Sequence, residues 1–315
     1  MKKPHILFVT EKYTDGNPAW LSNSHHNLFG SLECSGLADY SNFFFEENPH
    51  YVDDNLIKYH RRLQPSLTVV TILINPTFKS NPTNKAFAEI SKRSPVVFIW
   101  FDTVCKYVMD LADSFAQYAS LNVILDNPFF IPKEKYLNLW TPQDTRLYND
   151  PGLERDIDVS FIGSMHGYGD RASYLNHLMC NSGAKIYRDG GQREGNLSPE
   201  EYVKQIQKSK ISLNFSKNRQ GSQQTKGRVW EVTLCGAMLM EDVNQGTSLW
   251  FDPFKDYVPF TSPEDLVDKT NYYLNHPDKM AEIAANGKMK SNLHYSPKNW
   301  WLNIFNRCGI QTSTI

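Results

Sequence analysis

The chain has 315 residues, of which 40% are hydrophobic and 21% are charged, as in ordinary globular proteins. This length accommodates two domains better than one. The formal net charge of -1 argues against a protein that binds nucleic acid by neutralising phosphates over a broad face. It does not exclude a local cationic pocket, because the net charge does not define how the charges are distributed.

Cysteine usage and hydropathy indicate a reducing, aqueous compartment. The 5 cysteines are scattered without a CxxC pair, which is typical of reduced thiols and not of a disulfide framework or a zinc site. The first apolar run is too short for a signal peptide, and no window approaches the roughly 18 apolar residues of a membrane span. We therefore expect a cytoplasmic protein, for which a peripheral membrane contact stays open.

The N-terminal part of the chain alternates predicted strands with predicted helices. Apolar runs of strand length and amphipathic segments place strands over 5–10, 40–45, 67–74, 96–101 and 121–125, and helices over 19–35, 54–63, 85–91 and 104–118. This alternation predicts a parallel sheet with right-handed crossovers, as in a Rossmann-like domain. No GxGxxG motif follows the first strand, which argues against a dinucleotide cofactor there.

A polar, turn-rich stretch over 141–156 predicts a linker, after which the alternation resumes. Strands are expected over 159–162, 185–187, 211–215, 237–240 and 258–260, and helices over 171–180, 226–235, 262–275 and 297–308. Ser198, followed by a proline and then by Glu201, predicts another helix start with a capping box. The chain is therefore predicted to be an α/β protein with two parallel sheets.

The segment KISLNFSKNRQGSQQTKGRVWEVTLCGAMLMED, 210–242, reads as strand, polar loop, helix and strand. Such a unit puts the start of the helix at the carboxyl edge of a parallel sheet, where open α/β sheets bind ligands. Lys226 and Arg228 on the predicted first turn oppose the helix dipole, so their placement suggests that an anion binds there. Thr225 ends the polar loop, and Glu231 follows one turn later as an acceptor for hydroxyl groups attached to that anion.

The same segment carries a family resemblance. KGRVWEVTLCGAMLMED resembles the arginine, aromatic, glutamate and glycine block in the C-terminal domain of GT-B glycosyltransferases, and above all the spore-maturation (CgeB-like) branch related to glycosyltransferase family four. The likeness continues in order through 156–164, 197–202, 258–266 and 283–287, so it covers the C-terminal half. It implies two Rossmann-like parallel-sheet domains facing a central cleft: an acceptor domain over 1–140, a linker over 141–156, a nucleotide-sugar domain over 157–294 and a helix over 295–315 that packs back on the first domain.

The resemblance also implies roles for the candidate residues. Lys226, Arg228 and the helix amides would hold the diphosphate of a UDP- or GDP-linked sugar, and Glu231 would accept hydrogen bonds from its ribose. Surface cations and a solvated helix glutamate are the competing interpretations. Family four has a second glutamate eight positions before the first, whereas this chain has Gln223, which puts the contacts to the donor sugar and the activity itself in doubt.

Further candidates lie outside this segment. Gly163 and Ser164 begin a glycine-rich turn whose amides would face the phosphates, although a plain tight turn fits equally well. Arg188 ends a strand where the family places the nucleotide base. Asp102 ends the fourth strand and resembles an aspartate that the family has facing the cleft, where it would position the acceptor or act as a base; a helix N-cap is the competing interpretation.

The predicted function is glycosyl transfer from a nucleoside-diphosphate sugar to a saccharide or other glycan acceptor, with Asp102 and Arg228 as catalytic residues. No bound metal, cofactor or nucleic acid is expected, and Asp156-Ile-Asp158 is interpreted as linker polarity instead of a metal-binding DxD motif. A catalytically silent sugar-nucleotide-binding protein is the alternative from another class. A non-hydrolysing sugar-nucleotide epimerase is a further alternative, which Gln223 disfavours.

Overall fold

The computed structural model describes residues 3–48, 50–72, 81–131, 133–165, 167–190 and 197–312. The chain forms two compact units. The first unit comprises Met1–Asp144 together with Pro297–Ile315, and the second comprises Thr145–Ser296. The chain passes from the first unit to the second within the stretch over 141–156 that was predicted to be a linker.

The first unit contains a parallel sheet with the strand order β2-β1-β3-β4-β5-β6 among the described residues. Its strands are β1 His5–Thr10, β2 Asp39–Phe44, β3 Leu67–Val70, β4 Val96–Trp100, β5 Leu121–Ile124 and β6 Tyr136–Asn138. Its helices are α1 Ser31–Ser35, α2 Val52–Leu63, α3 Asn84–Ile90, α4 Lys106–Phe115 and the chain's last helix, Pro297–Arg307. Short 3-10 turns occupy Thr14–Gly16 and Phe45–Glu47.

Three sequence predictions for this unit need correction. The helix expected over 19–35 begins only with a π-helical segment, His25–Gly30, that runs into α1. The third strand ends at Val70, and residues 73–80 lie outside the described residues. Strand β6 was missed because its three residues adjoin a polar, turn-rich stretch and gain strand geometry only by pairing with β5.

The last helix of the chain, Pro297–Arg307, buries its aromatic side chains in the first unit. Trp300 and Trp301 are both fully buried, and each indole N–H has a partner. Nε1 of Trp300 donates to the carbonyl of Trp140 at 2.8 Å, and Nε1 of Trp301 donates to Oγ of Ser31 at 3.1 Å. Large rings with satisfied N–H groups stabilise a core strongly, so this helix is an integral part of the first unit.

The second unit contains a parallel sheet with the order β11-β10-β9-β7-β8 among the described residues. Its strands are β7 Ile157–Ile162, β8 Ile186–Asp189, β9 Ser209–Asn214, β10 Met238–Asp242 and β11 Val258–Phe260. Its helices are α5 Arg171–Asn181, α6 Pro199–Gln207, α7 Arg228–Leu234, α8 Gln245–Ser248, α9 Pro263–Asn275 and α10 Pro277–His294, and the helix Pro297–Arg307 of the first unit follows as α11.

The strand order of the second unit defines where a ligand would bind. The chain runs outward from β7 to β8, and then returns past β7 to β9, so the direction of winding reverses between β7 and β9. Crossovers leaving neighbouring strands in opposite directions open a crevice at the carboxyl edge, which is the usual ligand position in open α/β sheets. The segments that follow β7 and β9 therefore form the candidate site.

Helix ends in the second unit follow the predicted chemistry closely. The hydroxyl of Ser198 accepts a hydrogen bond from the amide of Glu201 while the carboxylate of Glu201 accepts one from the amide of Ser198, which completes a capping box.

Two predictions for the second unit need correction. Helix α7 begins at Arg228 with Gly227 as its N-cap, so Lys226 precedes the helix. The long helix α10 was not predicted, because its small residues give little apolar periodicity.

No helix among the described residues is both long enough and apolar enough to cross a membrane.

Candidate functional site

The guanidinium of Arg228 lies against the backbone of Gly163 at the carboxyl edge between β7 and β9. A Cβ atom on Gly163 would lie 3.0 Å from Nη2 and 3.1 Å from Nη1 of Arg228, closer than ordinary van der Waals contact. The amide of Gly163, which was expected to face the phosphates, donates instead to the carbonyl of Asp189 at 2.9 Å, and this bond holds the position of Gly163. The absence of a side chain at Gly163 therefore makes room for the cation.

The guanidinium of Arg228 is held by a hydrogen bond from Nε, whereas Nη1 and Nη2 are available to a ligand. Nε donates to the hydroxyl of Tyr202 at 3.2 Å, and the guanidinium carbon lies 5.4 Å from the centre of the Phe161 ring. In the part of the chain that the structure describes, Nη1 and Nη2 donate to no acceptor. This arrangement presents two parallel donors, the geometry that binds phosphate or carboxylate oxygens in a bidentate manner.

Glu231 lies one turn along α7 and shares the Tyr202 hydroxyl with Arg228. The hydroxyl of Tyr202 donates to Oε2 of Glu231, while Oε1 has no partner among the described residues. Burial raises the pKa of Glu231, whereas the charge of Arg228 and the Tyr202 hydrogen bond act in the opposite direction. One carboxylate oxygen is thus held in place and the other remains available to a donor on a ligand.

Lys226 extends the positive charge of this edge. Its ammonium group donates to the carbonyl of Lys217 at 2.9 Å and lies 5.3 Å from the centre of the Tyr168 ring. Burial, followed by the nearby charges of Arg171 and Arg228, lowers the pKa of Lys226 to about 7. A bound anion would reverse this shift, because it would compensate the repulsion between the cations.

Tyr168 and Arg171 organise the two loops of the crevice. Arg171 is buried and donates to the carbonyl of Ser164, after β7, at 2.9 Å and to the carbonyl of Lys217, after β9, at 3.1 Å. Its guanidinium carbon lies 3.9 Å from the centre of the Tyr168 ring, and that of Arg219 lies 5.2 Å from it. Arg171 therefore ties the glycine-rich turn to the polar loop.

The crevice carries clustered positive charge, which nearby carboxylates offset without forming a direct ion pair among the described residues. Neither Arg219, Lys226 nor Arg228 forms an ion pair with a carboxylate within the ranges that the structure describes. The hydroxyl of Thr225 is buried without a hydrogen-bond partner there, which is costly unless a ligand or water supplies one. Clustered cations in a partly buried site attract an anion, and the side chains present fit a phosphate-containing ligand.

Two residues discussed from the sequence lie apart from this cluster. Arg188 is exposed on the edge strand β8, and its Nη1 donates to Oδ1 of Asn176 on α5 at 3.4 Å. Gln223 is exposed, and its amide donates to the carbonyl of Val243. The position that carries a second glutamate in family four thus holds a side-chain amide that is engaged by the backbone.

Asp102 lies in the first unit, just after β4. Its backbone is left-handed, with φ of 57°, a conformation that few non-glycine residues adopt. Cys105, and not Asp102, occupies the N-cap position of α4. Next to it, the buried Asp126 accepts hydrogen bonds from the amide and hydroxyl of Thr103 at 3.2 Å and 2.7 Å. Burial, together with the charge of Asp102, raises the pKa of Asp126 to about 7.

The acids of Asp156-Ile-Asp158 lie at the amino end of β7, on the edge opposite the crevice. Asp156 pairs with Lys208 at 3.1 Å, and Asp158 pairs with Lys210 at 2.6 Å. The described structure thus engages one oxygen or more of each carboxylate in an ion pair with a lysine. Within the described ranges, no group of three or more histidine, cysteine, aspartate or glutamate side chains is arranged to hold a metal ion.

Comparisons with known proteins agree with this architecture. Residues 153–306 match the family model described as glycosyl transferase-like. No curated protein matches the chain. HepE of Anabaena, solved with UDP and glucose, superposes with a TM-score of 0.66 at 12% identity, over 96% of this chain and 100% of HepE. The fold is that of the GT-B glycosyltransferases.

Two further GT-B structures match over nearly the whole chain. An alpha-glucosyltransferase, solved with UDP-glucose and DNA containing an abasic site, gives a TM-score of 0.66 at 10% identity over 97% of this chain and 100% of that enzyme. A glycosyltransferase from Rickettsia africae gives a TM-score of 0.62 at 10% identity over 98% and 99%. At these identities the likeness establishes the fold alone, and the CgeB-like branch within the GT-B fold stays a prediction.

Sequence reasoning on this GT-B chain missed several residues of the crevice. Tyr202 lies on α6, far in sequence from the α7 residues that it contacts, and only the capping box indicated where its helix begins. Arg171 and Tyr168 were noted only as parts of a helix and a turn, and Arg219 only as part of a polar loop. Their proximity to the predicted residues arises from sheet topology, which no local pattern encodes. In the first unit, outside the crevice, Asp126 was missed as well, because it follows a short strand without any local pattern.

Proposed function

We propose that the protein is a glycosyltransferase that moves a sugar from a UDP- or GDP-linked donor to a glycan acceptor. The observation that carries this proposal is the open guanidinium of Arg228, seated on Gly163 at the switch point of the second sheet, with Lys226 and Glu231 beside it. A nucleoside-diphosphate sugar presents the matching groups, namely a diphosphate for the cations and ribose hydroxyls for the carboxylate. The match of residues 153–306 to a glycosyl transferase-like family supports it.

The cations have a chemical role in this reaction. Breaking the bond between the sugar and the diphosphate places negative charge on the leaving diphosphate. Arg228 would receive that charge through two donors, and Lys226 would act as a point charge beside it. The helix amides that the sequence suggested do not share this role, because those of Val229 and Trp230 donate to the carbonyls of Lys226 and Gly227. Because these groups stabilise the leaving group directly, we propose that transfer proceeds without a bound metal ion.

The remaining roles follow from the chemistry of the acceptor. An acceptor hydroxyl must lose its proton as it attacks the sugar, and Asp102 is our candidate for the base or the group that positions it. The left-handed backbone of Asp102 supports a functional role, because such strain persists where a position is constrained. HepE and the alpha-glucosyltransferase, each solved with UDP-glucose, make UDP the first base to test.

A donor screen tests the proposal. UDP-, GDP- and ADP-sugars are added to the purified chain. The unfolding temperature is measured, together with the release of free sugar and of nucleoside diphosphate. We expect one nucleotide series to raise the unfolding temperature, because a ligand that binds only the folded state stabilises it. Release of nucleoside diphosphate should increase when a suitable acceptor is present. Failure of every nucleotide sugar to bind would refute the proposal.

Gln223 supports one alternative, a protein that binds the sugar nucleotide without turning it over. Its side chain is engaged with the carbonyl of Val243, where the resemblance leads us to expect a carboxylate facing the reacting sugar. Nucleotide-sugar binding without hydrolysis or transfer across a broad acceptor panel would favour this alternative. The variant Gln223→Glu would then be the direct test, since a gain of turnover would show that Gln223 is the cause of the missing activity.

A further inference from the structure

Tyr202 joins the two residues that are proposed to recognise different parts of the donor. Its hydroxyl accepts the Nε–H of Arg228 at 3.2 Å and donates its own proton to Oε2 of Glu231. The Tyr202 ring also lies 5.9 Å from the guanidinium carbon of Arg228. One hydroxyl thereby uses its acceptor and donor capacities on a cation and an anion at once.

We propose that Tyr202 is a positioning residue that sets the geometry of Arg228 and Glu231 for the donor. This proposal rests on the proposed function, in which Arg228 holds the diphosphate and Glu231 the ribose. Tyr202 itself need not touch the ligand. Its role is to fix the distance between the two groups before the donor arrives.

The hydrogen-bond inventory explains why this position needs a hydroxyl. By engaging Nε, Tyr202 directs Nη1 and Nη2 of Arg228 toward Gly163, where the two donors stay unused by the described residues. By engaging Oε2, it leaves Oε1 of Glu231 as the free acceptor. The capping box at Ser198 and Glu201 fixes the start of α6, and so places Tyr202 within reach of both. Preorganisation of this kind lowers the cost of ordering side chains on binding.

Tyr202 also favours the ionised form of Glu231. The groups that face Glu231 are Arg228 on its own helix, Cys235 at the C-cap of that helix, Tyr202 on α6, and the buried Tyr148, which precedes β7. Burial raises the pKa of Glu231, and the hydrogen bond from Tyr202 opposes that rise. Without the Tyr202 hydroxyl, one of the interactions that stabilise the ionised form of the buried Glu231 is lost. The pKa of Glu231 would therefore rise, and its carboxyl would stay protonated to a higher pH. A protonated carboxyl is a weaker acceptor for ribose hydroxyls.

The test compares Tyr202→Phe with the wild-type chain and with Tyr295→Phe. Tyr295 is a matched control in the same unit, because its half-buried hydroxyl donates at 2.6 Å to the carbonyl of Trp250, which is not a residue of the crevice. UDP-glucose affinity is measured by calorimetry between pH 5 and pH 9, and thermal unfolding is recorded for each variant. UDP-glucose is used because its diphosphate lacks a group that titrates in this range.

We expect Tyr202→Phe to bind UDP-glucose about tenfold more weakly at neutral pH, the size of effect that loss of a charged hydrogen bond produces. The acid limb of its affinity profile should move to higher pH, while the basic limb, which Lys226 sets, stays in place. Tyr295→Phe should lose thermal stability at most and keep the wild-type profile.

The outcomes separate this proposal from the one on which it rests. Unchanged affinity and an unchanged acid limb in Tyr202→Phe, with normal binding by the wild-type chain, would overturn the role of Tyr202 alone. An equal loss of affinity in Tyr202→Phe and Tyr295→Phe, without a shift of the acid limb, would reduce Tyr202 to a structural residue. Absence of binding by the wild-type chain, across UDP-glucose and the other nucleotide sugars, would overturn both proposals.

Discussion

Arg228 and Gly163 are fitted to each other: the guanidinium rests on the backbone of the glycine, where a Cβ atom would lie 3.0 Å from Nη2. Gly163 follows the first strand of the second unit and Arg228 begins its helix α7, so the contact spans the switch point of the sheet. The glycine is thus required by a close approach and not by a left-handed turn. Its neighbours Gly167 and Gly169, by contrast, do adopt left-handed conformations.

Replacement Gly163→Ala should weaken donor binding while leaving the fold intact. The added methyl group must displace the end of the Arg228 side chain, which is flexible enough to move at small cost in stability. We expect UDP-glucose affinity to fall about tenfold, as for a displaced charged hydrogen-bond donor. Gly183→Ala is the control, because a Cβ there meets no atom within 4 Å. Equal affinities for the two variants would contradict the placement of Arg228.

Arg228→Ala and Arg228→Lys distinguish the charge of this residue from its shape. The alanine variant should lose UDP-glucose binding by about a hundredfold, because both donors and the charge disappear. The lysine variant should recover only part of that loss, since a point charge cannot form the bidentate contact. Lys204→Ala removes an exposed cation of the same unit and serves as the control. Calorimetry that gave the lysine variant wild-type affinity would contradict the bidentate role.

The pKa of Lys226 predicts how affinity depends on pH. With its pKa lowered to about 7, the free protein loses the charge of Lys226 as the pH rises through neutrality, whereas a bound diphosphate favours the protonated form. UDP-glucose affinity should therefore fall between pH 6.5 and 8.5, by up to about tenfold per pH unit. Lys226→Ala should bind more weakly at pH 6 and show no such decline. A decline of the same size in Lys226→Ala would assign it to another group.

The proposed role of Glu231 predicts selectivity for ribose. Removing the ribose hydroxyl that Glu231 binds should weaken binding, because the buried carboxylate then loses its hydrogen-bond donor. The wild-type chain should therefore bind either 2′-deoxy-UDP or 3′-deoxy-UDP about tenfold or more weakly than it binds UDP. Glu231→Gln keeps an acceptor for the Tyr202 hydroxyl but loses the charge, so it should bind all three nucleotides with similar affinity. Retention of the full preference in Glu231→Gln would exclude a role in ribose recognition.

Asp126 predicts a pH dependence of stability in the first unit. Its pKa is about 7 in the folded chain and 3.8 ordinarily, so the folded form holds the proton more tightly. The stabilisation is complete below pH 3.8 and is lost as the pH rises through about 7. Relative to the wild-type chain, Asp126→Asn should gain up to a few kcal/mol of stability between pH 4 and pH 7, and the gain should level off above that. Thermal unfolding of the two chains across this pH range is the measurement, and a difference that stays constant with pH would contradict the raised pKa of Asp126.

The sequence by itself determined the class of fold and the main chemical groups. Continuous apolar runs such as 5–10 and 96–101, separated by helices with recognisable caps, can be stable only as buried parallel strands with covering helices. The segment 210–242 suggested Lys226, Arg228 and Glu231 as candidates, because their close spacing in sequence places them together in any strand-loop-helix unit. Local patterns were sufficient wherever the relevant contacts are local.

Only the tertiary structure decided how these groups are arranged. Tyr202, Arg171 and Gly163 reach Arg228 or its loop from three other elements, and the order of β7, β8 and β9 brings them together. The tertiary structure also placed Arg188 on an exposed edge and engaged Gln223 with the backbone. Hydrophobic periodicity encodes which face of an element is buried, whereas the partner of a polar side chain depends on elements far away in the sequence.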